Sequence, residues 1–158
     1  MKTITKTITY LQITALFLTA ALAGAAAAEK EKPFQGRIDA VETSVVQFPT
    51  LFVDASGLGN ATHLGRFTVT SEFQVNLLTL AASGSAHYIA ANGDSLFTEF
   101  TGQANPIEGS DFSSIVQTHT IAGGTGRFAG ATGSFTVERL LNRVTGVSSG
   151  SFEGTISY

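Results

Sequence analysis

Apolar and polar residues alternate one by one along several stretches of the chain. In residues 66–75, Phe67, Val69, Phe73 and Val75 share one phase, and Arg66, Thr68, Thr70, Glu72 and Gln74 share the other. In residues 133–141, Phe135, Val137 and Leu141 alternate with Ser134, Thr136 and Glu138. Near the C-terminus, Phe152, Ile156 and Tyr158 alternate with Ser151, Glu153, Thr155 and Ser157. A period of two places successive side chains on opposite faces of a strand. One apolar and one polar face per strand predicts an antiparallel sheet with one side in water. No stretch after residue 33 sustains a helical period, because Gly, Ser and Thr recur too often.

Turn residues divide the pattern into about eight strands: 34–48, 51–55, 64–75, 80–90, 95–104, 114–122, 132–141 and 150–158. Ala91-Asn92-Gly93-Asp94 reads as a tight hairpin of the type with two central residues at positive φ. Other breaks fall at 56–59, 105–110, 123–126 and 142–149. Eight short-looped strands form either a closed barrel or a two-sheet sandwich. Gly36, Gly65, Gly84, Gly102 and Gly154 lie inside or beside strands and favour the barrel, where tight bends close the wall. Residues 34–158 are expected to form this single domain.

The N-terminus follows a different rule. Lys2 and Lys6 precede an apolar run over residues 10–23, and Ala26-Ala27-Ala28 stands before Glu29. This is the layout of a secretory signal peptide over residues 1–28, with too short an apolar run for a membrane span. The charged residues 29–33 read as a flexible tether. The expected address is secreted or periplasmic, with no membrane span left after cleavage. The chain contains no Cys, so its core must hold without disulfides and it has no thiolate chemistry. Its net charge of −3 lacks the basic face a nucleic-acid binder needs.

The most singular segment is residues 123–133. Its glycines do not make a phosphate loop, because a Phe/Thr strand follows and no Lys occurs after Lys32. It contains no Asp for a calcium repeat. It reads as a tight connection folded over one barrel end, with Phe128 as a plug. Gly123-Gly124-Thr125-Gly126-Arg127-Phe128, small residues, and then Gly133-Ser134-Phe135-Thr136-Val137 resemble a signature of the allene oxide cyclase and dirigent proteins. The closing Gly150-Ser151-Phe152-Glu153-Gly154-Thr155-Ile156 resembles exported bacterial proteins with an allene oxide cyclase barrel-like domain. The resemblance covers residues 64–158. It implies an eight-stranded antiparallel β-barrel with an apolar cavity, and a homo-oligomer, trimeric in the plant members. The catalytic residues of the plant enzymes find no motif-matched positions here.

Candidate ligand-binding residues are those that the alternation points inward. Tyr88 shares its phase with Ala86 and Ala90, which leave room beside its ring. Arg139 shares its phase with Phe135, Val137 and Leu141, so it must sit at a barrel mouth, be paired, or reach solvent from a strand end. Phe128 completes the set. His63, His87 and His119 lie on separate segments and suggest no metal site, and no cofactor is implied. Asp54, Glu72, Glu99 and Glu138 offer carboxylates, with Glu72 and Glu138 on the polar phase. Three functional classes stay open: a module that binds an apolar small molecule, a cyclase or isomerase acting on a lipid-like or phenolic substrate, and an oligomeric interaction protein.

Overall fold

The structure, a computed structural model, describes residues 30–158. The expected signal peptide therefore lies outside the described residues. Eight antiparallel strands close into a barrel in simple sequence order: β1 (Lys32–Gln47), β2 (Thr50–Ala61), β3 (Gly65–Asn76), β4 (Ala81–Ala90), β5 (Ser95–Pro106), β6 (Phe112–Gly124), β7 (Thr132–Asn142) and β8 (Val147–Ser157). β1 pairs with both β2 and β8, so no sheet edge is left open. A 3-10 turn, Gly126–Phe128, lies between β6 and β7. Of the two architectures open to the sequence, the chain adopts the barrel.

The inward phase is the one the alternation marks. Phe67, Val69, Phe73, Phe135, Val137, Phe152 and Ile156 are all buried in one core. Burial of each such side chain contributes about 1.5–3 kcal/mol. Phe34 meets Phe135 edge to face at 5.1 Å and lies tilted against Phe152 at 5.2 Å, and Phe67 meets Tyr88 edge to face at 5.5 Å. An eight-stranded barrel is only just wide enough for its side chains, and interior glycines make that room. A Cβ at Gly36 would stand 2.7 Å from the Phe152 ring, and one at Gly59 would stand 2.5 Å from the Phe67 ring.

Three local expectations change for physical reasons. Residues 56–59 are not a break: β2 runs straight through them, because Gly57 and Gly59 face inward and leave space for Ala40 and Phe67. Lys32 and Pro33, read as tether, belong to β1 and pair with Ile156 and Thr155. In the 91–94 hairpin only Gly93 has positive φ, at 89°. Its N–H donates to the Ala90 carbonyl, and the Ala90 N–H donates to the Asp94 carbonyl. The loop is thus a three-residue one with a single left-handed glycine, not a two-residue turn with two.

The two barrel ends differ. At the end carrying the loops 62–64, 91–94 and 125–131, Leu64, Phe128 and Ala131 are buried and close over the core. Phe128 is fully buried there, and its ring meets that of Tyr158 at 5.1 Å. Tyr158 is pinned by Lys32, whose Nζ lies 3.7 Å above its ring, and by a 3.0 Å hydrogen bond from its hydroxyl to His63 Nδ1. His63 Nε2 donates to the Pro33 carbonyl at 3.0 Å, which leaves Nδ1 as the acceptor. At the other end the loops 48–49, 77–80, 107–111 and 143–146 stand around an opening. Each presents an exposed apolar side chain: Phe48, Leu78, Ile107 and Val144.

Candidate functional site

The barrel interior is unevenly filled. From the closed end inward, Phe152, Phe135, His119, Phe100 and Phe73 form a continuous column of rings with neighbouring centroids 4.6–5.6 Å apart. Past the column, toward the open end, lies a cavity of about 480 Å³. That is within the size range of small-molecule sites. Its walls are mainly apolar, with Leu51, Val53, Val75, Leu80, Ile115 and Leu141 among them. Its polar groups include Glu42, Ser44, Ser113, Gln117 and Arg139, all on the inward phase of their strands, and Gln103, Arg143 and Thr145 line it as well.

Arg139 and Glu42 form an ion pair inside the barrel, with side chains only 7% and 10% exposed. Arg139 Nη1 donates to Glu42 Oε1 and, at 2.9 Å, to Ser148 Oγ. A buried guanidinium needs such a partner, because a lone charge in this setting is strongly unfavourable. Arg143, by contrast, is exposed and donates to the Ser110 carbonyl.

Arg139 and Gln117 also border a second, much smaller chamber of about 30 Å³, which adjoins Tyr88 and His119. That is room for little more than a single water. His119 is stacked between Phe100 and Phe135, with interplanar angles of 23° and 15°. Its Nδ1 is 2.9 Å from Thr98 Oγ1. Its Nε2 is a buried polar atom without a hydrogen-bond partner among the described residues. Burial, reinforced by the positive charge of Arg139, pushes the His119 pKa down to about 3. Burial raises the Tyr88 pKa, and Arg139 offsets this only in part. Both groups therefore stay neutral around pH 7.

The lowered His119 pKa makes stability depend on pH. The unfolded imidazole binds its proton near pH 6.5, whereas the folded one resists protonation down to about pH 3. The His119 contribution is fully present above about pH 6.5 and is lost as pH falls toward 3, at about 1.4 kcal/mol per unit. Urea unfolding between pH 7 and 4 should show a steeper loss of stability in the wild type than in His119→Phe. Equal slopes would show that the histidine is protonated inside the fold.

The three residues singled out by sequence lie in three different places. Arg139 lines the large cavity and is paired, which is one of the three outcomes its inward phase allows. Tyr88 is buried and lines only the small chamber. Phe128 lines neither space and fills the closed end. Arg127, beside it, is held by Asp94 at 3.6 Å and lies 4.9 Å from the Phe128 ring. Glu42 and Gln117 carry no expectation from the sequence, and His119 reads there only as one of three scattered histidines, although each shares a phase with apolar residues: Glu42 with Ile38 and Ala40, and Gln117 and His119 with Ile115 and Ile121. His87 faces outward and bonds Ser95 Oγ at 2.9 Å. Asp54, Glu72 and Glu99 line a broad depression on the outer wall, where Asp54 stands directly opposite Glu72. No group of three His, Cys, Asp or Glu among the described residues is placed to hold a metal ion. No helix among them is long and apolar enough to cross a membrane.

No family model and no curated protein matches the chain. Among solved structures, the fold is similar to that of the pterocarpan synthase dirigent protein GePTS1. The TM-score is 0.53 and the identity 14%, over 82% of this chain and 86% of that one. At that identity the likeness is one of architecture: the chain has a dirigent-like eight-stranded barrel.

Proposed function

We propose that the protein is a binding module that takes an apolar small molecule into the open half of its barrel. As residues 1–28 suggest, it would act outside the cytoplasm. The observation that carries this reading is the 480 Å³ cavity, apolar along its walls and polar at the Arg139–Glu42 pair. Such a combination buries a hydrophobic body and orients one polar end. The exposed Phe48, Leu78, Ile107 and Val144 around the opening extend the apolar surface outward.

Binding fits the interior better than acid–base catalysis does. A general acid or base works best with a pKa near the working pH. The buried His119 is shifted far below that range, and Tyr88 is shifted upward. Their chamber of about 30 Å³ also holds too little for an organic substrate.

The test is direct. Nile red, a neutral apolar dye, should bind the purified protein with enhanced fluorescence. Ala82 and Ala104 face the cavity from β4 and β5. Tryptophan at either position should abolish the signal while far-UV circular dichroism stays unchanged. Undiminished dye binding in both folded variants would refute the site.

A further inference from the structure

We infer that the cavity selects neutral amphiphiles carrying a hydroxyl group over carboxylates of the same chain length, and that Glu42 sets this preference. The inference rests on the binding reading above and specifies the chemistry of its ligand.

An arginine at the base of an apolar pocket would ordinarily suggest an acid as ligand, because guanidinium and carboxylate match as a bidentate pair. Here that role is already taken. Glu42 holds Arg139 from β1, and both side chains are almost wholly withdrawn from solvent. Arg139 Nη1 gives its two protons to Glu42 and Ser148, which leaves Nε and Nη2. The pair is neutral as a unit. A ligand carboxylate entering beside it would lie against the Glu42 carboxylate in a site poor in water. Two like charges so placed cannot both remain ionised without a large penalty.

A hydroxyl meets no such conflict. It can accept from the remaining Arg139 protons or from the Gln117 amide, and it can donate to the second Glu42 oxygen. The polar groups facing the cavity thus offer both donors and acceptors around zero net charge. Arg143, the other cation at this cavity, is exposed and committed to the Ser110 carbonyl. Solvent screens it, so it can attract an anion to the rim but not into the base of the pocket. The hydrocarbon part of the ligand then lies along Leu51, Val53, Val75 and Leu141 toward the opening.

Displacement of Nile red by octan-1-ol and by octanoate at pH 7.5 tests this on the purified protein. The alcohol should compete at least about tenfold more strongly than the acid, equivalent to about 1.4 kcal/mol. In Glu42→Gln the ratio of octanoate to octan-1-ol affinity should rise by about tenfold or more, because Arg139 is released. Should Glu42→Gln fail to fold, Glu42→Gln/Arg139→Gln leaves no lone charge, and the alcohol preference should shrink in it. Octanoate competing as well as octan-1-ol in the wild type would overturn the inference and leave the binding reading intact. Dye binding that neither compound displaces would overturn it in the same way. A protein that does not bind the dye would take both down. An unchanged preference in the folded Glu42 variants would remove Glu42 from its role.

Discussion

Phe128→Ala is expected to lower the free energy of unfolding by about 3–5 kcal/mol, because the whole ring is buried and its loss leaves a cavity. The plug cannot readily collapse into that space. The loop carrying it is fixed by a chain of backbone bonds: Thr125 N–H to the Ser95 carbonyl, Phe128 N–H to the Thr125 carbonyl and Ala131 N–H to the Phe128 carbonyl. Gly126 and Gly130 hold positive φ on either side of the ring, at 57° and 78°. Urea denaturation measures the loss. Nile red binding should survive in the folded fraction, since Phe128 borders neither interior space. A variant with unchanged stability and altered dye binding would mean that residues 123–133 are a moving lid and not a fixed plug. The same loop should show no affinity for phosphate, because Arg127 is already engaged by Asp94.

Glu42→Leu should cost about 3–5 kcal/mol by leaving the Arg139 guanidinium buried without a counter-charge. The pair itself contributes far less than that figure. Its attraction is offset by the cost of taking both charges out of water, so Glu42→Leu/Arg139→Met should recover most of the loss. The comparison is a double-mutant cycle: two single variants of low stability and a double close to the wild type give a large coupling energy. Additive losses would show that the two side chains are solvated and independent in solution. The losses expected for Phe128→Ala and Glu42→Leu should add, because Phe128 lies in the turn between β6 and β7 at the closed end and Glu42 lines the cavity toward the open end, with no shared partner.

Strand number, strand phase and the identity of most core residues were legible in the chain, because a half-buried antiparallel wall imposes a period of two on every strand. Phe67, Phe135 and Phe152 fall inward for that reason alone. The plug was legible as well: a large ring among small residues and glycines has few other places to go. Where the period was blurred, the reading faltered. Gly57 and Gly59 look like a break, because a glycine shows nothing of its phase until the ring it makes room for is known. The inward places of Gln117 and His119 are hidden in the sequence, because Val116 on the outward phase of β6 weakens the contrast that marks the inward one.

Sequence alone determined a period, a set of inward positions and a chain that closes without disulfides. It could place Arg139 on the inward phase and leave it three situations: a barrel mouth, a paired charge or a strand end reaching solvent. Only the tertiary structure decided that the partner is Glu42, 97 residues away on β1. It also decided that the large rings gather toward one end while the inward side chains of the other leave a cavity. Alternation fixes which side of the wall a residue faces. How far up the axis it stands depends on the register of each strand against its neighbours and on the closure of β1 onto β8. Those long-range pairings juxtapose residues that no local pattern connects, and the binding cavity exists only once they are made.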